Sequence, residues 1–118
     1  MEMEKNIEIS LLLDFYGGLL KPDAAQMIDL YYNEDLSLSE IAAQTGITRQ
    51  GVRDRIKRCE QNLFELEQKL GMLKRFRELE QGLDRILEAA GKIDSETDNQ
   101  RIKDLAQSIK AEALGLKE

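Results

Sequence analysis

Histidine and tryptophan are absent from this chain, and cysteine and proline occur once each. Without histidine there is no imidazole base, no Ser-His-Asp triad and no histidine-bearing zinc site. A single cysteine, Cys59, excludes an intramolecular disulfide and any cysteine-rich metal site. Cys59 follows Val52 and Ile56 at steps of four and three, and Leu63 continues the stripe, so it reads as a small core residue rather than a nucleophile. Carboxylates are plentiful but lie at surface spacings on helices, with no paired pocket and no phosphate loop. The expectation is a protein that is not an enzyme, with no catalytic residue, no cofactor and no metal. Nor does any stretch approach the roughly 20 apolar residues of a membrane span. The N-terminus MEMEKNIEIS is acidic and lacks the apolar segment of a secretory signal, so the expected location is cytoplasmic.

Aromatic residues are scarce, at 5%, and Leu, Ala, Glu, Lys and Gln outweigh Val and Thr. That balance favours helix over strand and predicts an all-α fold. A length of 118 residues suits one small domain with an appended helical arm. The net charge of −6 argues against indiscriminate coating of nucleic acid. Charge is unevenly spread, however. Residues 37–58 hold Arg49, Arg53, Arg55, Lys57 and Arg58 against Glu40 and Asp54, a local balance of +3 that leaves −9 on the rest. A basic patch in an acidic body suits a local contact with nucleic acid; a solvated helix face is the plainer alternative.

That same segment, SLSEIAAQTGITRQGVRDRIKR, has the pattern of a helix-turn-helix. Leu38, Ile41 and Ala42 repeat at helical spacing. Gly46 tolerates the left-handed backbone that ends a helix, Ile47 plugs the turn, and the Thr48 hydroxyl caps a second helix. The second helix buries Val52, Ile56 and Cys59 and displays Arg49, Gln50, Arg53, Asp54, Lys57 and Arg58. In a DNA major groove, Arg49 and Arg53 suit guanine edges and Gln50 an adenine edge. Thr48, Arg55, Lys57 and Arg58 suit backbone phosphates. Asp54 is the discordant residue, expected to pair with Lys57 or Arg58. Gly51 is explained equally by close DNA approach and by packing against the preceding helix.

Before this unit, Ile9, Leu12, Leu13 and Tyr16 mark a helix over about 7–16, broken by Gly17 and Gly18. A second helix starts near Pro22 with Ala25, Met27, Ile28, Tyr31 and Tyr32 on its apolar face, and closes at Asn33-Glu34-Asp35. After it, the pattern runs from Thr48 to Leu70, about 35 Å of helix. Leu63, Leu66, Leu70 and Leu73 resemble a coiled-coil seam that resumes at Phe76, Leu79, Leu83, Ile86, Ala90 and Ile93. Gly71 ends or bends the helix at the register shift. Ile102, Leu105, Ile109 and Ala113 define a last helix, with Asp94 or Ser95 as its candidate cap. The expected organisation is a helix-turn-helix domain over 1–70 and a helical extension over 71–118, which folds back or pairs with a second subunit. A homodimer is favoured, because a four-helix body already fills its own core.

Three stretches, LLLDFYGGLL at 11–20, IDLYYNEDLSLSEIA at 28–42 and the TRQGV…IKR run at 48–58, resemble the YlxM-like family of small bacterial helix-turn-helix proteins. The helix-turn-helix is also similar to region 4 of bacterial sigma factors, which reads promoter DNA. The resemblance covers about the first 70 residues; the C-terminal helices match in general character only. It implies an all-helical protein that binds double-stranded DNA, has no catalytic site and carries a regulatory role. It further implies a link to the signal recognition particle, because the gene accompanies that of the particle's GTPase. The alternative it raises is an accessory protein that binds this GTPase or the particle's RNA. Arg53 and Arg55 stand where the family pattern has tyrosine and asparagine, which makes this face more basic.

Overall fold

The computed structural model describes residues 2–117, with side chains from 5 onward, and these form helices joined by short turns. In chain order they are α1 (Glu2–Tyr16), a 3-10 turn (Gly17–Leu19), α2 (Pro22–Tyr32), α3 (Leu38–Thr45), α4 (Arg49–Leu70), α5 (Met72–Glu96) and α6 (Gln100–Lys117). No strand occurs among the described residues, so the fold is all-α, as composition predicts. α1 begins at Glu2, five residues before the expected start near residue 7. The Glu, Met and Lys residues that precede Ile7 are good helix formers but carry no periodic signal. Contacts divide the chain into two compact units, Met1–Leu73 and Lys74–Glu118.

The first unit is built around α4, which packs against α1, α2 and α3. Its core collects Ile9, Leu12 and Tyr16 from α1, Met27 and Ile28 from α2, Ile41 from α3, and Val52, Ile56, Cys59 and Leu63 from α4. Leu73 is buried as well. This corrects the expected seam across 63–73: Leu63 and Leu73 are spent inside this unit, Leu66 is half-buried, and only Leu70 is exposed. Gly71 ends α4 in the left-handed conformation, φ +63°, and α5 starts at the next residue.

A partly buried polar knot closes the unit beside Gly71. The Tyr16 hydroxyl, with its side chain wholly buried, donates to Glu67 Oε1 at 2.6 Å and accepts from the Met72 backbone N–H at 3.0 Å. Glu67 Oε1 also accepts from Leu73 N–H at 3.0 Å. The first amides of α5, which have no partner within the helix, are thus satisfied by α1 and α4. Burial and then the Glu67 carboxylate push the Tyr16 phenol above its ordinary pKa. A second knot lies at Glu60, which accepts from the Tyr32 hydroxyl and pairs with Lys5 at 3.3 Å. One α4 carboxylate thereby ties α1 and α2. Burial, then Glu60, raises the Tyr32 pKa too.

The second unit is an antiparallel helical hairpin. Lys117 of α6 binds Asp84, Lys110 binds Asp94 at 3.8 Å, and Lys103 Nζ donates to the Asp94 carbonyl at 3.0 Å. Among its described residues, Ala90, Ala106 and Ala113 are buried. The cap of α6 is Asn99, whose Oδ1 accepts from Arg101 N at 2.9 Å and Ile102 N at 3.3 Å. Asp94 and Ser95 were the candidates on residue type, but both still lie within α5. Leu79, Ile86 and Ile93 on α5, and Ile102, Ile109 and Leu116 on α6, recur every seven residues and are exposed.

Candidate nucleic-acid interface

The helix-turn-helix is fixed by its caps. Ser37 Oγ accepts from Glu40 N at 3.0 Å while the Glu40 carboxylate accepts from Ser37 N at 3.1 Å, a reciprocal capping box that starts α3. Gly46, at φ +75°, ends α3, and its N–H bonds to Ala42 O at 3.0 Å. Thr48 Oγ1 then accepts from Gly51 N at 3.0 Å and starts α4, as its residue type predicts. A hydroxyl has one hydrogen and two lone pairs, so the cap leaves the Thr48 O–H free to donate elsewhere.

Packing within this turn calls for glycine at position 51. A Cβ there would stand 2.8 Å from Ile47 Cγ2 and 3.1 Å from Thr48 Oγ1. Ile47 is half-buried between the two helices, so the absent side chain is what lets the turn close.

All the side chains singled out on α4 are exposed: Arg49, Gln50, Arg53, Arg55, Lys57 and Arg58, together with Thr48 before it. They do not form one face. At about 100° per residue, the buried stripe Val52–Ile56–Cys59–Leu63 defines a core direction, and its opposite is the outer crest. Gln50 and Asp54 fall within about 30° of that crest. Arg49, Arg53 and Lys57 descend one flank; Arg58 and Arg55 descend the other. Arg55 and Arg58 also border a groove lined by Lys21, Pro22, Met27 and Leu66. Among the described residues, none of these five cations has a carboxylate within ion-pairing distance. Their charge is therefore not cancelled laterally.

Asp54 departs from expectation. Its Oδ1 accepts from Gln50 Nε2 at 3.0 Å, and it pairs with neither Lys57 nor Arg58. The two residues are one turn apart, a spacing at which Gln and Asp stabilise a helix. That signal was present in the sequence, beside the competing spacing to the cations. Cys59 lies beneath the face, buried, with its thiol 3.8 Å from the Ala24 carbonyl. Burial, then Glu60, raises its pKa, which suits a core residue.

No group of His, Cys, Asp or Glu among the described residues has the arrangement of a metal site. No helix among them is long and apolar enough to cross a membrane.

Comparison with known proteins converges on this element. Residues 3–112 match the UPF0122 family, described as a putative helix-turn-helix protein, YlxM / p13 like. A UPF0122 protein of Clostridium kluyveri is 47% identical over 79 residues, 67% of this chain and 71% of the relative. One from Desulforamulus reducens is 50% identical over 74 residues, 63% of each chain. One from Clostridium novyi is 35% identical over 108 residues, covering 92% of this chain and 94% of the relative. No solved structure matches. With capped helices around Gly46 and a match over nearly its whole length, the chain belongs to the UPF0122 family of YlxM / p13-like helix-turn-helix proteins.

Proposed function

We propose that the protein is a DNA-binding regulator that works as a homodimer and inserts α4 into the major groove. The observation that carries this is the set of five cations on the two flanks of one exposed helix, none ion-paired among the described residues, in a chain of net charge −6. Cations on both flanks match the two phosphate backbones that wall a major groove. Arg49 and Arg53 reach guanine edges from one flank, with Lys57 on phosphate behind them. Arg55 and Arg58 hold the opposite backbone, and Thr48 donates its free O–H to a phosphate at the helix start.

Dimerisation rests on the second unit. Leu83, Ile86, Ile109, Ala113 and Leu116 line an apolar groove shared by α5 and α6. With the heptad-spaced Leu79, Ile93 and Ile102 beside it, the hairpin carries an apolar strip about 20 Å long. Two such hairpins close into a four-helix bundle, which buries the strip on both copies. Two recognition helices then meet half-sites about 34 Å apart.

Sedimentation with footprinting on a bound duplex tests both parts. Wild type is expected to sediment as a dimer at micromolar concentration and to protect two segments one helical turn apart. Ile86→Lys with Ile109→Lys, both at exposed positions, is expected to give a folded monomer without the paired footprint. A monomeric wild type contradicts the dimer, and a duplex left unprotected contradicts the groove contact.

A further inference from the structure

We propose that Asp54 and Gln50 act as one base-reading unit, in which the carboxylate selects an amino-bearing base edge and repels edges made only of acceptors. The inference rests on the DNA-binding reading above and names what that site recognises. Four observations carry it. Gln50 Nε2 donates to Asp54 Oδ1 at 3.0 Å, both side chains are exposed, and both stand near the crest that enters a groove first. Asp54 also has no ion-pair partner among the described residues, although Arg53, Lys57 and Arg58 lie within one turn. Its charge is not absorbed by the cations around it; its second oxygen stays open at the crest.

The chemistry follows from the major-groove edges. Guanine shows N7 and O6, and thymine shows O4; all are acceptors, and a carboxylate repels each of them. Cytosine shows an N4 amino group and adenine an N6 amino group, which a carboxylate oxygen accepts from. The bond to Asp54 also fixes the Gln50 amide. One of its N–H groups is used, and the other, with Oε1, remains as the donor–acceptor pair that the N7 and N6 of adenine require. Residues 50 and 54 are about 6 Å apart along the helix, which sets the two contacts on neighbouring base pairs. We therefore assign adenine to Gln50 and cytosine to Asp54. The flanking cations supply attraction to any duplex, and the bare carboxylate supplies discrimination by penalising the wrong one.

The test is selection from a randomised duplex library with full-length wild type, Asp54→Asn and Gln50→Ala, followed by affinities for single-base variants of the selected site. Wild type is expected to enrich a site that contains cytosine beside adenine. Asparagine keeps an oxygen for Gln50 but replaces the outer acceptor with an amino donor. Asp54→Asn is therefore expected to shift preference at the cytosine position toward guanine or thymine, lose roughly 5- to 100-fold of discrimination there, and bind random duplex more tightly. Gln50→Ala is expected to weaken the adenine position and, through the lost hydrogen bond, the cytosine position as well. If Asp54→Asn strengthens binding to every duplex by one common factor, Asp54 is only a repelling charge and the inference is overturned while DNA binding stands. A wild type that enriches no sequence overturns both.

Discussion

Replacing Gly51 with alanine sets two effects against each other on the helix that carries the candidate interface. Alanine is favoured over glycine within a helix by about 1 kcal/mol. Against this, the new methyl would lie 2.8 Å from Ile47 Cγ2, where carbon atoms normally rest at about 3.5–4.0 Å. Ile47 is β-branched, with little rotamer freedom to retreat, and overpacking of this kind costs about 1–3 kcal/mol. The methyl also crowds Thr48 Oγ1 at 3.1 Å, the atom that caps α4, and a lost cap costs about 1 kcal/mol more. The steric terms win, and Gly51→Ala is expected to destabilise the protein by about 1–3 kcal/mol. Urea unfolding followed by helical circular dichroism reads this directly. With a slope of about 2 kcal/mol per molar, the midpoint falls by roughly 0.5–1.5 M. A midpoint equal to or above wild type would show that propensity outweighs the contact and that the turn geometry is wrong.

Tyr16→Phe removes the hydroxyl that serves both Glu67 and the Met72 amide, so a loss of about 2 kcal/mol is expected in thermal unfolding; a loss under about 0.5 kcal/mol would contradict the knot. Alkaline pH attacks the same sites. Tyr16 and Tyr32 both hold their protons more tightly in the folded chain than the ordinary phenol value of 10.0. Below that pH both states are protonated and stability is intact; above it the unfolded chain releases protons first, so stability falls as pH rises toward the folded values. Urea midpoints measured from pH 8 to 11 are expected to be flat and then to decline beyond 10, and Tyr16→Phe should reduce the decline; a flat profile throughout would contradict the buried phenols.

Most helix boundaries were legible because each depends on one residue's local chemistry. Gly46 and Gly71 take left-handed φ values, Pro22 opens α2, and Thr48 caps α4; each effect acts within a turn of the chain. The Ser37–Glu40 capping box carried the same kind of signal but was not extracted from the sequence. Long-range pairings were not legible. Nothing in the spacing of Tyr16 and Glu67, 51 residues apart, announces a shared hydrogen bond. The leucines at 63–73 illustrate the same limit: periodicity marks an apolar face but not what covers it, and two of them turned inward. At the candidate interface, residue type identified the basic helix, whereas its division into two flanks and a Gln50–Asp54 crest needed the position of the buried stripe. Local spacing offers Asp54 three partners, Gln50, Lys57 and Arg58, and only side-chain geometry chooses Gln50.

Fluorescence anisotropy of labelled duplex DNA, titrated with wild type and with Arg49→Ala/Arg53→Ala at two salt concentrations, addresses the central claim most directly. Wild type is expected to bind sequence-selectively, more weakly in added salt, and the double variant to lose that selectivity with its helix content unchanged. Absent binding, or weak binding indifferent to both arginines, would contradict the claim and direct the search to the signal recognition particle's RNA and GTPase.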